Sequence, residues 1–322
     1  MSGRRHRPLG RAGARGRPMR RTCRLPGLAL VVTLSSVLAA CAAEPAPLGT
    51  PRLDHLSTYV WQRDDTDFGG FSGIELSDDG SRFTVISDRA TIRWGEVRRD
   101  AGGRITALDP VQSARLHDRK GKPLKPDWRG DSEGLAIGAD GRIWISFEGT
   151  TRIARYDRPD GPAHPLPRPA AFDDMQRNSS FEALAITADG TVLTLPERSG
   201  KLTRPFPVWR WRDGVWDQPF SIPRSGDWLA VGADIGPDGR FYLLERDFRG
   251  LLGFRSRVRR FDLSETGLTN PVTLLESYPL QYDNLEGISV WQDDQGIRIT
   301  LISDDNFGML QRTELVEFRL SE

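Results

Sequence analysis

The chain has 322 residues and nearly balanced charge, with 45 Lys and Arg against 44 Asp and Glu. Residues 1–40 hold nine arginines and no acid, so the remaining residues carry 36 basic against 44 acidic side chains, a net charge of −8. Both cysteines, Cys23 and Cys41, also lie near this end. The rest of the chain therefore has no disulfide, cysteine nucleophile or thiolate metal site, and its acidity argues against a nucleic-acid partner.

Residues 1–40 have the pattern of a signal peptide. A mostly apolar stretch of 13 residues, 28–40, follows the arginines and is too short to span a membrane. Met19 offers an alternative start that gives a signal of conventional length. The stretch ends in Leu38-Ala39-Ala40-Cys41, which resembles a bacterial lipobox and predicts lipidation of Cys41. The alternative interpretation is a buried helix that ends at an ordinary cleavage site.

Residues 41–51 predict an extended tether, because three of them are proline, at positions 45, 47 and 51. The tether would hold a single domain, residues 52–322, away from a membrane that it touches through the lipid anchor only. We therefore expect an exported bacterial cell-envelope lipoprotein that faces the periplasm. The outer membrane is favoured, because Ala42 rather than aspartate follows the cysteine.

From residue 68 onward one pattern returns five times: a short apolar strand, a turn that ends in glycine, a second apolar strand, and an acid at its end. Asp-Gly between apolar runs is a strong hairpin signal. A small residue recurs near the start of each copy, at intervals of 61, 49, 49 and 55 residues: Gly73, Gly134, Ala183, Gly232 and Gly287. Further strands follow most hairpins, so each copy predicts a four-stranded propeller blade.

The predicted fold class is all-β: a β-propeller of five visible four-stranded blades, closed by an N-terminal strand at residues 55–61. A sixth, degenerate blade is possible within residues 98–130. A parallel β-helix and a β-sandwich are the alternatives, but their strands would not repeat at this spacing with a hairpin at the same phase.

The acids of the repeat should gather at one rim. In an antiparallel hairpin the start of the first strand lies beside the end of the second. The first strands line the central channel, so Glu133, Glu182 and Glu286 should converge near the axis, with Ser72 and Val231 at the equivalent places. The acids that end the second strands should surround them: Asp88, Glu148, Glu197, Glu245 and Asp304.

Crowded carboxylates repel one another, and a protein tolerates them when a cation or proton neutralises them. Oxygen ligands favour Ca²⁺, with Mg²⁺ as an alternative. The predicted ligands are Glu133, Glu182, Glu286, Asp88 and Asp304, with further donors nearby at Asp131, Asn178, Asn284, Asp305 and Asn306. The alternative is that these acids cap loop amides or pair with the arginines that follow three of them, Arg89, Arg198 and Arg246.

Several of these segments resemble a known family. They are D-S-E-G-L-A-I (131–137), S-F-E-A-L-A-I (180–186), N-L-E-G-I-S-V (284–290), V-I-S-D-R (85–89) and L-L-E-R-D-F (243–248). Together they resemble the bacterial phytase-like family, often labelled "esterase-like activity of phytase", over residues 68–318. The resemblance implies a propeller whose acidic mouth binds Ca²⁺ and accepts a phosphate ester.

Carried over residue by residue, the resemblance implies Ca²⁺ ligands at Glu133, Glu182 and Glu286. It implies substrate-binding cations at Arg89, Arg198, Arg246 and Arg249. The chain differs from the expected pattern in its scarcity of lysine, with only four after the leader, at 120, 122, 125 and 201. None lies at the predicted rim, which argues against inositol hexakisphosphate as the substrate.

Other hydrolase signatures are absent from the sequence. It has no G-x-S-x-G motif, and the three histidines after the leader, His55, His117 and His164, form no zinc motif. We expect a monomeric, metal-dependent hydrolase of a small phosphate or carboxylate ester, with Glu148 or Glu197 as general base. The alternatives are a non-catalytic propeller that binds an envelope ligand or protein, and a lactonase-type hydrolase.

Overall fold

A computed structural model describes residues 49–175, 179–308 and 310–322. The predicted signal peptide, Cys41, most of the tether and Asn178 lie outside the described residues. Within the described part of the chain, no helix has the length and apolar character needed to cross a membrane.

The described chain forms five four-stranded antiparallel sheets, each a propeller blade, as predicted. Strand β1 is Arg52–Val60. Blade I follows with β2 Phe71–Leu76, β3 Arg82–Ser87, β4 Thr91–Arg99 and β5 Ile105–Arg115. Blade II has β6 Ser132–Ile137, β7 Ile143–Phe147, β8 Arg152–Tyr156 and the two-residue β9 His164–Pro165.

The remaining blades continue the same order. Blade III has β10 Phe181–Ile186, β11 Val192–Pro196, β12 Phe206–Arg212 and β13 Val215–Ile222. Blade IV has β14 Leu229–Ile235, β15 Phe241–Phe248, β16 Phe254–Ser264 and β17 Gly267–Glu276. Blade V has β18 Asn284–Asp293, β19 Gly296–Asp304 and β20 Glu314–Ser321. Two short 3₁₀ helices, Ala170–Asp174 and Gly250–Leu252, lie in connections.

The first strands of the blades, β2, β6, β10, β14 and β18, form the inner ring. Each contacts the first strand of the next blade, and β18 contacts β2. Apolar side chains that are fully buried fill the space between blades, such as Leu244 with Val316 and Ile86 with Ile145. This ring brings the start of every first strand to one rim of the channel, here called the near end, and the end of every first strand to the other rim, here called the far end.

The ring is closed by β1, which pairs with β20 at the outer edge of blade V from Arg52 opposite Ser321 to Val60 opposite Glu314. The predicted closing strand is therefore confirmed. Residues 98–130 hold the end of β4, then β5, then a loop with one isolated bridge between His117 and Pro123. They add no blade, so the described chain has five.

Every first strand carries a β-bulge at the position of the predicted inner acids. The register slips where the strand passes Ser72, Glu133, Glu182, Val231 and Glu286. Bulges interrupt a ladder and redirect a side chain, and they are common beside functional sites. The fold therefore turns the same position of each blade towards the channel mouth.

The small residue after each inner position has a packing reason. A Cβ atom placed on Gly134 would lie 2.5 Å from the carbonyl oxygen of Glu182, and one on Gly232 would lie 2.6 Å from that of Glu286. The backbone of the next blade therefore passes too close for a side chain. The Glu-Gly repeat thus combines a mouth acid with a contact between blades.

Candidate metal centre at the near end of the channel

Three carboxyls come together at the near end in blade II. Glu133 is the second residue of β6, Asp131 lies two residues before Glu133, and Glu148 directly follows β7. One carboxylate oxygen from each lies within 4.8 Å of the others. The backbone N–H of Glu148 donates to the carbonyl oxygen of Asp131 at 2.9 Å, which fixes the two ends of the hairpin beside each other. An all-oxygen donor set of this size fits Ca²⁺ or Mg²⁺.

A fourth carboxyl, Glu182 of blade III, borders this group and lies within hydrogen-bonding reach of Glu148. Glu133 and Glu182 are only 8% and 6% exposed. No salt bridge joins Asp131, Glu133, Glu148 or Glu182 to an arginine or lysine of the described residues. This half of the mouth, here called the carboxyl cluster, therefore has no ion-paired cation among the described residues, and only the charge of Arg246 reaches it, at Glu182.

The electrostatics of the carboxyl cluster follow from burial and mutual repulsion. Burial, then the charges of Glu182 and Asp131, raise the pKa of Glu133 well above its usual value. Burial and then Glu197 do the same to the pKa of Glu182. Burial, followed by Asp131, raises the pKa of Glu148 to about 7. A divalent cation would relieve this repulsion, because it favours the ionised form of every carboxylate around it.

The opposite half of the mouth contains a cation. Arg246 of β15 donates to Glu197 of blade III at 3.1 Å, to Asn284 of blade V at 3.1 Å, and to Glu286. Asn284 also donates to Glu286 at 2.7 Å. Burial alone would lower the pKa of Arg246, but Glu286, Glu182 and Glu197 outweigh it and raise that pKa.

A third group of acids lies where blades I and V meet. Burial, and then Asp131, raise the pKa of Asp88 to about 7, and one Asp88 oxygen is buried without a hydrogen-bond partner. Burial, and then Glu286, raise the pKa of Asp304 to about 8. Asp305 accepts the backbone N–H groups of Gly70 and Phe307, each at 3.0 Å. Asp305 therefore holds loops together.

Two buried acids lie at the far end of the channel, at positions the repeat does not mark. Asp234 accepts the backbone N–H of Ile235 at 2.7 Å and that of Val290, in the next blade, at 2.6 Å. Glu75 accepts the hydroxyl of Ser289 at 3.3 Å. A cavity of about 1020 Å³ lies beside them and is lined in part by Leu76, Ile137 and Val290. The sequence pattern assigned no role to this end.

Comparison with known proteins fixes the family. The family model described as "Phytase-like: Esterase-like activity of phytase" matches residues 66–307. The chain belongs to this phytase-like family. The resemblance found in the sequence is thereby confirmed. No curated protein matches the chain.

Solved structures similar to this phytase-like chain are distant. Virginiamycin B lyase from Staphylococcus aureus is 14% identical, with 84% of this chain and 99% of that chain covered and a TM-score of 0.42. A gluconolactonase from Xanthomonas campestris is 16% identical, with 77% and 72% covered and a TM-score of 0.40. A luciferin-regenerating enzyme is 7% identical, with 83% and 95% covered and a TM-score of 0.44.

The outer acids and arginines of this phytase-like propeller occupy different surroundings. Glu245 is fully buried and accepts hydrogen bonds from Arg257 and Arg259 at 2.7–2.8 Å, so two arginines of its own blade neutralise its charge. Glu197 is held by Arg246 and, at 3.1 Å, by Arg198. This is the pairing with arginine that the sequence left open as the alternative.

The four predicted substrate-binding arginines also lie in different environments. Arg89 is exposed and its guanidinium lies 3.2 Å from the centroid of the Phe307 ring. Arg198 is exposed beside Glu197, and Arg249, in the loop after β15, is also exposed and pairs with Asp247 of β15 at 2.6 Å. Arg246 is occupied by Glu197, Glu286 and Asn284. Arg89, Arg198 and Arg249 are therefore exposed, and of these Arg89 and Arg198 directly follow Asp88 and Glu197 at the mouth.

Sequence reasoning named Asp131 only as a further donor beside the predicted ligands, and it placed Arg246 on the substrate side. Asp131 stands two residues before Glu133 in D-S-E-G, just outside the strand, and its partnership with Glu148 is set by the hairpin closure. One feature of the sequence could have indicated a different role for Arg246. Blade IV has Val231 where three other blades have glutamate.

Proposed function

We propose that the protein is a Ca²⁺-dependent hydrolase of phosphate or carboxylate esters, with its reaction centre at the near end of the channel. The observation that carries the proposal is the carboxyl cluster: three carboxylate oxygens within 4.8 Å of one another, beside a fourth carboxyl. Mg²⁺ is the alternative ion.

Asp131, Glu133 and Glu148 would hold the ion. When bound, a divalent cation polarises an ester oxygen and lowers the pKa of a water molecule. Glu182 lies outside the ligand group but within reach of Glu148, so it is the residue placed to accept the proton of the attacking water. This exchanges the roles that the sequence suggested for Glu182 and Glu148.

The exposed arginines support an anionic or strongly polar substrate. Arg89 and Arg198 stand at the rim, and a guanidinium can bind a phosphate or carboxylate oxygen pair. The guanidinium of Arg89 packs on the ring of Phe307, and this contact orders the arginine before a substrate binds. The scarcity of lysine in this region still argues against inositol hexakisphosphate.

The test combines metal binding with turnover in the purified protein. Isothermal titration with Ca²⁺ should show binding, and a panel of 4-nitrophenyl phosphate, short acyl esters and lactones should show which bond is cleaved. Glu133→Gln should lose both Ca²⁺ binding and turnover, whereas Glu182→Gln should keep Ca²⁺ binding and lose turnover. Absence of Ca²⁺ binding would refute the proposal. Binding without turnover on any ester would favour the non-catalytic propeller.

The location of the protein is a separate proposal, supported by the apolar stretch 28–40 and the L-A-A-C sequence that ends at Cys41. Metabolic labelling with radioactive palmitate in a bacterial host should mark the protein. Cys41→Ser should lose the label and release the protein from the membrane fraction. A labelled Cys41→Ser protein would contradict the assignment.

A further inference from the structure

Blade IV departs from the pattern of the ring. Its inner position is Val231, and its outer acid, Glu245, is fully buried between Arg257 and Arg259. Among the described residues, blade IV therefore contributes no carboxylate to the mouth from either repeat position. The next residue on β15, Arg246, points into the mouth instead.

Arg246 spans the gap that Val231 leaves. Its guanidinium bonds to Glu197 on the blade III side, and to Glu286 and Asn284 on the blade V side. Two carboxylates and an amide oxygen around one position form the kind of donor set that binds Ca²⁺. Only 20% of the Arg246 side chain is exposed, so its charge is buried among these oxygens.

We propose that Arg246 occupies the place of a second divalent cation, so that the mouth binds one Ca²⁺, at the carboxyl cluster. This inference rests on the proposed function for the first ion. Glu286, a predicted ligand of that ion, instead belongs to Arg246. Arg246 is therefore a positioning residue that sets the metal stoichiometry of the site.

The first experiment counts ions by isothermal titration and by metal analysis after equilibrium dialysis against Ca²⁺. The wild-type protein should bind one Ca²⁺. Arg246→Ala should bind two, because Glu197, Glu286 and Asn284 are released as ligands. Arg246→Lys should bind one, since it restores a cation. The matched control is Arg198→Ala, which removes the exposed arginine beside Glu197 and should also bind one.

A second variant keeps Arg246 and so avoids the risk that three unpaired oxygen ligands prevent folding. Glu286→Gln should still bind one Ca²⁺ with a dissociation constant within about threefold of the wild type, whereas Glu133→Gln should lose binding. The double variant Arg246→Ala/Glu286→Gln should return to one ion.

The outcomes separate this inference from the proposed function. A wild-type protein that binds no ion refutes the proposed function. Two ions in the wild type, a single ion in a folded Arg246→Ala, or loss of binding in Glu286→Gln would each overturn the role of Arg246. Each of these outcomes would still leave a wild-type protein that binds Ca²⁺, as the proposed function requires.

Discussion

Each first strand of the propeller buries one carboxyl side chain, at the near end in blades II, III and V and at the far end in blades I and IV. The near-end residues are Glu133, Glu182 and Glu286; the far-end residues, Glu75 and Asp234, occur three positions further along their strands than Ser72 and Val231. Burial raises the pKa of the carboxyls at both ends. Neither burial nor a raised pKa therefore distinguishes the two ends.

The difference lies in the partners. Asp234 accepts two backbone N–H groups, one of them from the next blade, so it ties the ring together. Glu133 faces four carboxyls, those of Glu182, Asp131, Glu286 and Glu148. At the far end the main charge that Glu75 faces is Asp234, which the two backbone N–H groups already hold. A buried acid whose oxygens accept backbone hydrogen bonds is satisfied by the fold, whereas facing carboxyls require a proton or a cation. The proposed metal site is therefore assigned to the near end, whereas the backbone hydrogen bonds of Asp234 stabilise the far end.

The largest expected effect comes from Glu133→Gln, which removes a charged ligand from the carboxyl cluster. The affinity for Ca²⁺ should fall by at least about 100-fold, beyond what the loss of an outer-shell partner costs. Thermal melting with and without Ca²⁺ measures the loss of ligand stabilisation. Glu75→Gln is the control at the far end and should keep the Ca²⁺-induced shift. Equal shifts in the wild type and Glu133→Gln would contradict the assignment.

The second prediction concerns pH. The pKa values of Asp88 and Glu148 are raised to about 7 and that of Asp304 to about 8, so the folded protein binds these protons more tightly than the unfolded chain does. The free energy of unfolding without Ca²⁺ should therefore fall between pH 5 and pH 8. The change should be on the order of a few kcal/mol, because a tenfold difference in proton affinity between the folded and unfolded chain is worth about 1.4 kcal/mol per group.

Saturating Ca²⁺ should remove most of this dependence, since the ion favours the ionised carboxylates at the near end. A smaller fall should remain from Asp234, whose pKa burial raises to about 7 at the far end. Urea titrations at pH 5 and pH 8, with and without Ca²⁺, measure both parts. A Ca²⁺-free protein that gains stability as the pH rises would show that the near-end carboxyls are neutralised in another way.

The third prediction addresses the far end directly. Asp234→Ala leaves two buried N–H groups without acceptors, and each should cost about 1–3 kcal/mol of unfolding free energy. Asp234→Asn keeps one acceptor oxygen and should lose about half as much. Chemical denaturation measures the loss, and calorimetry should find the Ca²⁺ affinity unchanged. A loss of affinity as large as that of Glu133→Gln would break the distinction between the two ends.

The smallest effect is expected from Gly134→Ala, which places a Cβ atom 2.5 Å from the carbonyl oxygen of Glu182. Separating blades II and III should cost about 1–3 kcal/mol of stability, as overpacking does elsewhere. Gly267→Ala is the matched control, because its Cβ would meet no atom within 4 Å. An unchanged melting temperature for Gly134→Ala would mean that the inner ring can relax.

Much of the fold could be predicted because the turn sequence of each hairpin determines how its two strands pair. Asp-Gly turns fix which residues pair, and the repeated phase fixes which rim they reach, so Glu133 beside Glu148 followed from the sequence alone. The structural role of the far-end acids was not predicted, because Glu75 and Asp234 lie inside apolar strands. There the sequence pattern indicates that a side chain is buried, but it does not show which groups its oxygens contact.

The sequence also could not predict that the near end divides into the carboxyl cluster and a group of acids paired with Arg246. Whether Glu197 binds a metal or an arginine depends on where the Arg246 side chain reaches, and that reach crosses from blade IV to both of its neighbours. Contacts between blades are set by packing of the ring and leave no local pattern. Asp131, which the sequence offered as a further donor, is brought beside Glu148 by the closure of a hairpin.

The pairing of β1 with β20 has a consequence for how the protein is made. Arg52 and Ser321 are opposite each other in one sheet, so the described domain begins and ends at the same edge of blade V. During synthesis β1 leaves the ribosome before the other described strands, and the circle can close only when β20 has followed it. A circular permutant that joins these neighbouring ends and has its new ends between two other blades should fold into the same five-bladed propeller.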